Sequence, residues 1–241
     1  MRWLLLFLLC CHFMTLANVE IRMGLHNFPP YSVMTDNDVC GGEAIDLTRE
    51  ILETADIKVV AVCATAARLY KMLGTGEIDL TINIKQTKAL PANIRFIEPP
   101  YTQLSLVLLS NDTPAGALNS VEKPTIAAIR GFDYSGQRQR LSAQGYQFVD
   151  LPDSIDAIEM FIKGRSNALL TYEAPFTFFM AQRFLPVATT YNRQLLDSIN
   201  TYYAVSEQSL HKTYIHQALS GYAAAKQLRY FTPPPVSPMT H

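Results

Sequence analysis

The sequence has no surplus of charge: 20 Lys and Arg stand against 21 Asp and Glu among 241 residues, a formal net charge of -1. Without a basic excess there is little to neutralise a phosphate backbone, so no nucleic-acid partner is expected. Past the N-terminus no run reaches the ~18 continuous apolar residues that a spanning helix needs, so the body does not read as a bundle of membrane helices. G-x-S-x-G, P-loop and HExxH motifs are missing, as are CxxC and HxxxH. No nucleophile elbow, phosphate cradle or zinc centre is therefore indicated, and neither a cofactor nor a metal is expected.

What is present is a composition that can build a core: 49% hydrophobic and 17% charged, over a length that suits one large domain or two small ones. Part of the apolar share belongs to the first seventeen residues. Arg2 is a positive n-region, Trp3 to Met14 an apolar h-region, and Thr15 and Ala17 are small residues at -3 and -1, the pattern of a secretory signal peptide over 1–17. The alternative, a membrane anchor, meets a length problem, since twelve helical residues span only ~18 Å against a ~30 Å bilayer core. Cleavage removes Arg2, giving a mature charge of -2, and leaves two of the four cysteines, Cys40 and Cys63. In an exported chain such a pair reads as one disulfide worth roughly 3 kcal/mol in the chain-entropy model. Two free, partly buried thiols are the alternative.

Hydrophobic periodicity then divides the chain into two similar runs. Val19 to Leu25 alternates as a strand and is broken by Pro29-Pro30; Ala44, Ile45, Thr48, Ile51 and Leu52 recur at helical spacing; Lys58 to Cys63, Ala66 to Leu73 and Ile78 to Ile84 read as strand, helix and strand. The second run has strands at Thr125 to Ile129, Tyr146 to Val149 and Asn167 to Thr171. Its helices lie at Ser135 to Gln144 and after Asp153 or Ser154. Met72-x3-Gly76-x2-Asp79-Leu80 and Met160-x3-Gly164-x2-Asn167-Ala168 share one spacing. Strands at Ser105 to Leu109 and Thr201 to Val205 bracket the second run, an amphipathic helix covers Ser209 to about Leu228, and the proline-rich end over 232–241 is expected to be a disordered tail. The fold class is α/β.

Phe28-Pro29-Pro30-Tyr31, Gly42-x2-Ile45-Asp46-Leu47, Arg68-x7-Gly76-Glu77-Ile78-Asp79-Leu80, Pro100-Tyr101, Arg130-Gly131 and Ala157-Ile158-x5-Gly164-Arg165-x-Asn167-Ala168 together resemble the family 3 periplasmic solute-binding proteins, the polar amino-acid-binding type. The resemblance covers nearly the whole mature chain. It implies a type 2 periplasmic-binding-protein fold with two lobes, 18–105 plus 201–241 and 110–195, joined by two hinge-crossing strands and closing on a ligand. It further implies a monomer in the periplasm that captures a small polar, amino-acid-like ligand for an ABC-transporter permease or a membrane sensor.

Site residues follow from those motifs. Phe28 and Tyr31 offer aromatic faces from a proline-stiffened loop. Arg68 opens a helix whose N-terminus disfavours a cation, which asks for a carboxylate nearby. The segment from Asn83 through Lys85 and Thr87 occupies the place where family members hold a ligand carboxylate, yet the family's arginine position falls here near Leu90-Pro91, leaving Lys85 or Lys88 as a point charge and Arg95 as a more distant replacement. Arg130-Gly131-Phe132-Asp133-Tyr134 leaves a strand and precedes a helix at Ser135, so its amides and side chains, Arg130 and Gly131 foremost, are expected to face the cleft. At the end of the strand Asn167 to Thr171, alignment by the strand selects Tyr172 and alignment by Pro175 selects Glu173 as the partner of a ligand amine. Glu43 and Asp46 are more simply helix N-terminal acids. Two rival functions stay open: a cyclohexadienyl-dehydratase-like enzyme with Glu173 as general acid, and a non-binding adaptor. The adaptor would have a filled or weakly polar cleft, with few of Arg68, Lys85, Arg130 and Glu173 pointing inward.

Overall fold

The computed structural model describes residues 19–34, 39–53, 57–111, 123–183 and 191–235. The expected signal peptide and the last six residues of the tail lie outside them.

Both runs build the same three-strand unit. In the first, β1 (Glu20–Leu25) lies between β4 (Lys58–Cys63) and β5 (Leu80–Ile84), pairing with both in parallel. In the second, β7 (Thr125–Ile129) lies between β8 (Gln147–Leu151) and β9 (Ala168–Tyr172), again in parallel. Parallel neighbours need crossover helices. These are α1 (Glu43–Leu52) and α2 (Ala66–Thr75) in the first unit, α3 (Gln137–Ala143) and α4 (Ser154–Ile162) in the second. A small hairpin of β2 (Val33–Met34) and β3 (Cys40–Gly41) precedes α1.

The shared methionine-to-aspartate spacing has a physical basis. Gly76 and Gly164 take left-handed φ values of 77° and 67° at the helix ends, where a side chain would be strained. The amide directly after each glycine then reaches back to the methionine carbonyl: Glu77 N to Met72 O at 2.9 Å and Arg165 N to Met160 O at 3.0 Å. Asp79 and Asn167 next accept from the central strand, Arg22 N on Asp79 at 2.7 Å and Thr125 N on Asn167 at 2.8 Å. The helix-to-strand turn is thus stitched to the middle of the sheet by one side chain in each half.

Two long strands join the halves. β6 (Ile94–Asn111) and β10 (Tyr191–Ser206) pair antiparallel along most of their length. β10 pairs with β5 through Thr201 to Val205, and β6 pairs with β9 through Leu106 to Ser110. The eight strands therefore form one sheet of order β4-β1-β5-β10-β6-β9-β7-β8. Side chains of β6 and β7 alternate between two apolar clusters: Leu106, Leu108, Ile126 and Ala128 face one, Val107, Leu109 and Ala127 the other. Strands covered on both faces are what helices packed on each side demand, and each large side chain buried this way contributes roughly 1.5–3 kcal/mol.

β6 and β10 extend well beyond the apolar segments expected from sequence. α5 (Glu173–Gln182), which carries Phe176 and Phe179 against the second cluster, and α6 (Lys212–Ala225) complete the described fold. Cys40 and Cys63 form a disulfide, Cα atoms 5.7 Å apart, tying β3 to the end of β4.

Candidate functional site

A cavity of about 290 Å3 opens where β1, β5 and β9 end and where the chain leaves β7. Carboxyl ends of strands in such sheets leave a crevice that helices and loops wall in. Gly24 and Leu25 come from β1, Thr81 to Ile84 from β5, Gly131 to Ser135 from the turn after β7, and Tyr172 from β9. Tyr101, Thr102, Leu104 and Thr201 on the joining strands form the floor.

Aromatic rings make up much of the wall. Phe28 meets Tyr172 at 5.6 Å between centroids, Tyr172 meets Tyr134 at 5.8 Å, Tyr134 meets Phe132 at 5.7 Å, Phe132 meets His26 at 6.1 Å, and His26 returns to Phe28 at 5.7 Å. The circuit is closed, with His26 and Phe28 contributed by the first unit and the other three by the second. Tyr31 and Tyr101 continue it, at 6.3 Å from Phe28 and 6.0 Å from Tyr31. Offset and edge-on contacts of this kind add ~0.5–1.5 kcal/mol each beyond buried area. Local backbone supports the rings: Phe28 and Ser32 exchange both amide bonds across the proline loop, and the buried Tyr134 hydroxyl accepts from Ile129 N at 2.8 Å while Tyr134 and Ser135 hold left-handed φ values of 51° and 53°.

Charge is nearly absent from this wall. Lys88 and Asp133 are its lysine and its carboxylate among the described residues, and they pair with each other across the cleft at 3.4 Å. Their side chains are 76% and 35% exposed, which places the pair at the mouth. Burial pushes the hydroxyls of Tyr31, Tyr70, Tyr101, Tyr134 and Tyr172 above the ordinary tyrosine value, so these remain neutral. Burial also lowers His26 to about 4, against a smaller opposing pull from the Asp153 carboxylate, so this imidazole is neutral at pH 7. Asp153 caps α4 through Asp156 N at 3.0 Å and receives Asn27 Nδ2 from across the cleft at 3.2 Å.

Among the described residues, three polar atoms of wall residues are buried without a well-formed hydrogen bond: His26 Nε2, Thr102 Oγ1, and Tyr101 Oη, which stands beside the Thr232 hydroxyl. The Thr102 side chain stands beside the Tyr31 hydroxyl and eases its upward shift without closing a well-formed bond. Leaving such groups unpaired costs ~1–3 kcal/mol each.

Over residues 21–217 the sequence matches the family described as bacterial extracellular solute-binding proteins, family 3. The chain belongs to that family. No curated protein sequence matches it. Among solved structures it is similar to the arginine-bound form of truncated ArgBP from T. maritima, at 20% identity over 86% of this chain and 96% of that one, TM-score 0.69. It is also similar to a putative binding component of an ABC transporter from Wolinella succinogenes complexed with lysine, at 17% identity over 88% and 96%, TM-score 0.67. A third likeness is to an ancestral amino acid-binding protein described as a precursor of cyclohexadienyl dehydratase, at 16% identity over 86% and 89%, TM-score 0.64. At such identities the likeness shows the fold, the two-lobed α/β architecture of family 3.

Against that fold the expected site residues divide. Phe28, Tyr31, Asn83, Thr87, Gly131 and Tyr172 line the cavity; Arg68, Lys85, Arg130 and Glu173 do not. Arg68 and Arg130 are exposed. Lys85 pairs with Glu98 and lies 3.9 Å over the Tyr202 ring, and Arg95 pairs with Glu207. Glu173 is held by Arg193. Asn83 Oδ1 accepts from Ile84 N and from Thr87 Oγ1, both at 2.8 Å, so the expected carboxylate-binding segment is closed on itself. Phe132 and Tyr134 belong to the segment after Arg130-Gly131 that was expected to face the cleft, whereas Tyr70, Tyr101, Thr102 and His26 were not among the expected site residues, Tyr101 having entered only through the Pro100-Tyr101 motif.

Proposed function

We propose that this protein captures a small solute between its lobes, without chemistry, and presents the closed form to a membrane partner, an ABC-transporter permease or a sensor. The carrying observation is the walled cavity, whose aromatic circuit is assembled from both units. Rings that meet only across the cleft tie closure to what fills it. Lobe 1 would comprise 18–105 plus 201–241 and lobe 2 110–195. The signal peptide would deliver a monomer to the periplasm.

The dehydratase alternative needs a general acid in the cleft, and its candidate, Glu173, is engaged by Arg193 away from the cavity wall. The adaptor alternative gains from the absence of Arg68, Lys85, Arg130 and Glu173 from that wall, but a cavity of this size is not a filled cleft. The test is a thermal-unfolding and calorimetric screen of amino acids, amines, di-acids and uncharged solutes. Binding tighter than about 1 mM with a matching rise in Tm supports capture. Failure of every solute favours the adaptor.

A further inference from the structure

Charge placement limits what the cavity can hold. An ion buried in an apolar site needs a counter-ion or several hydrogen bonds, and without them it costs several kcal/mol. Here the lysine and the carboxylate of the wall sit at the mouth, already paired with each other, while the depth is built of rings and neutral hydroxyls. A free amino acid would have to bury an ammonium and a carboxylate against that depth, or split the Lys88–Asp133 pair and keep its head at the rim.

Shape and aromatic lining narrow the choice further. An apolar cavity of about 150 Å3 accommodates benzene, so about 290 Å3 takes one substituted ring or a fused pair. The rings, set tilted or edge-on to one another at 5.6–6.1 Å, give an aromatic lining against which a planar guest can pack. A quaternary ammonium would also sit well among aromatic faces, but Asp133, the carboxylate of the wall among the described residues, is already paired with Lys88 at the mouth, so the cation would be buried without a counter-ion.

We propose that the solute is an uncharged molecule of one or two rings rather than a free amino acid. This rests on the reading that the cleft captures a solute. Calorimetry and thermal unfolding of the full exported chain test it with matched probes: indole against L-tryptophan and p-cresol against L-tyrosine, together with nicotinamide, thymine, L-arginine, L-glutamate and choline. The expected result is that at least one uncharged ring binds about tenfold or more tighter than every charged probe and raises Tm. If an amino acid or choline instead outcompetes every uncharged ring, the inference fails while solute capture stands. Silence from all probes at about 5 mM defeats solute capture itself, and the inference with it.

Discussion

Arg193 grips Glu173 by both carboxylate oxygens, Nε on Oε1 at 2.5 Å and Nη2 on Oε2 at 2.8 Å, tying the first turn of α5 to the exposed stretch of β10. The side chains are 28% and 12% exposed, so the pair is partly withdrawn from water and its fork geometry is the strong kind. Glu173→Gln keeps the shape but removes the charge that Arg193 grips. The expected loss, read by urea unfolding, is about 1–2 kcal/mol, with affinity for a cleft ligand changed less than about threefold. A collapse of binding, or of turnover of a cyclic carboxylate, with stability intact would restore Glu173 to the site.

His26 sets a pH dependence. In the unfolded chain it takes up a proton near 6.5, in the folded chain near 4, because burial against Phe28 and Phe132 outweighs the pull of Asp153. Between those values the unfolded state binds more protons, so stability falls as pH drops from 6.5 toward 4. The gap corresponds to roughly 3 kcal/mol at most. His26→Gln should flatten the unfolding free energy between about pH 7 and 4.5 relative to wild type; parallel curves for the two proteins would show that His26 is not buried in solution.

Much of the fold was readable because burial writes itself into periodicity: β7 is expected at Thr125 to Ile129 and found there, and the glycine after α2 and after α4 marks a left-handed helix end in both units. The joining strands were only half visible. Glu98-Pro99-Pro100 interrupts the apolar pattern of β6, and Asn192 to Leu195 of β10 is an exposed, mostly polar stretch that looks like a loop. At the site, residues that follow strand ends, such as Phe28, Gly131 and Tyr172, were legible from position. Arg68, Lys85, Arg130 and Glu173 were chosen for their charge, and charge is what this protein keeps at its surface or satisfies elsewhere. Tyr101 and Thr102 could not be told from core, since a floor of a cavity and a packed interior require the same residue types.

The Cys40–Cys63 bond closes a sequence separation of 23 residues that includes α1 and anchors the hairpin behind the Phe28–Tyr31 loop. In the chain-entropy model its removal costs roughly 3 kcal/mol. The double variant Cys40→Ser/Cys63→Ser, or full reduction, should lower the urea midpoint accordingly and steepen the slope slightly, because the unlinked denatured chain is more open; a loss under about 0.5 kcal/mol would mean that the reduced chain is held equally well by packing.

Thr102 gives the sharpest separation of stability from recognition. Its hydroxyl is buried in the cavity floor with no hydrogen bond, beside the Tyr31 hydroxyl, while its carbonyl separately accepts from Thr201 Oγ1 at 3.2 Å. Thr102→Val preserves shape and removes only the unpaired group. In a protein whose floor is purely structural, that change should be neutral or stabilising by up to about 1 kcal/mol, because burying an unsatisfied hydroxyl costs free energy. Where the hydroxyl exists to meet a ligand, the same variant keeps or gains stability when empty yet loses about five- to tenfold in affinity for whichever solute binds the wild type. Opposite signs for the two quantities are the expected outcome, read by unfolding and calorimetry on the same preparation. Equal affinity for the two proteins would remove Thr102 from recognition, and a marked loss of stability in the empty variant would show that the hydroxyl has a partner in solution.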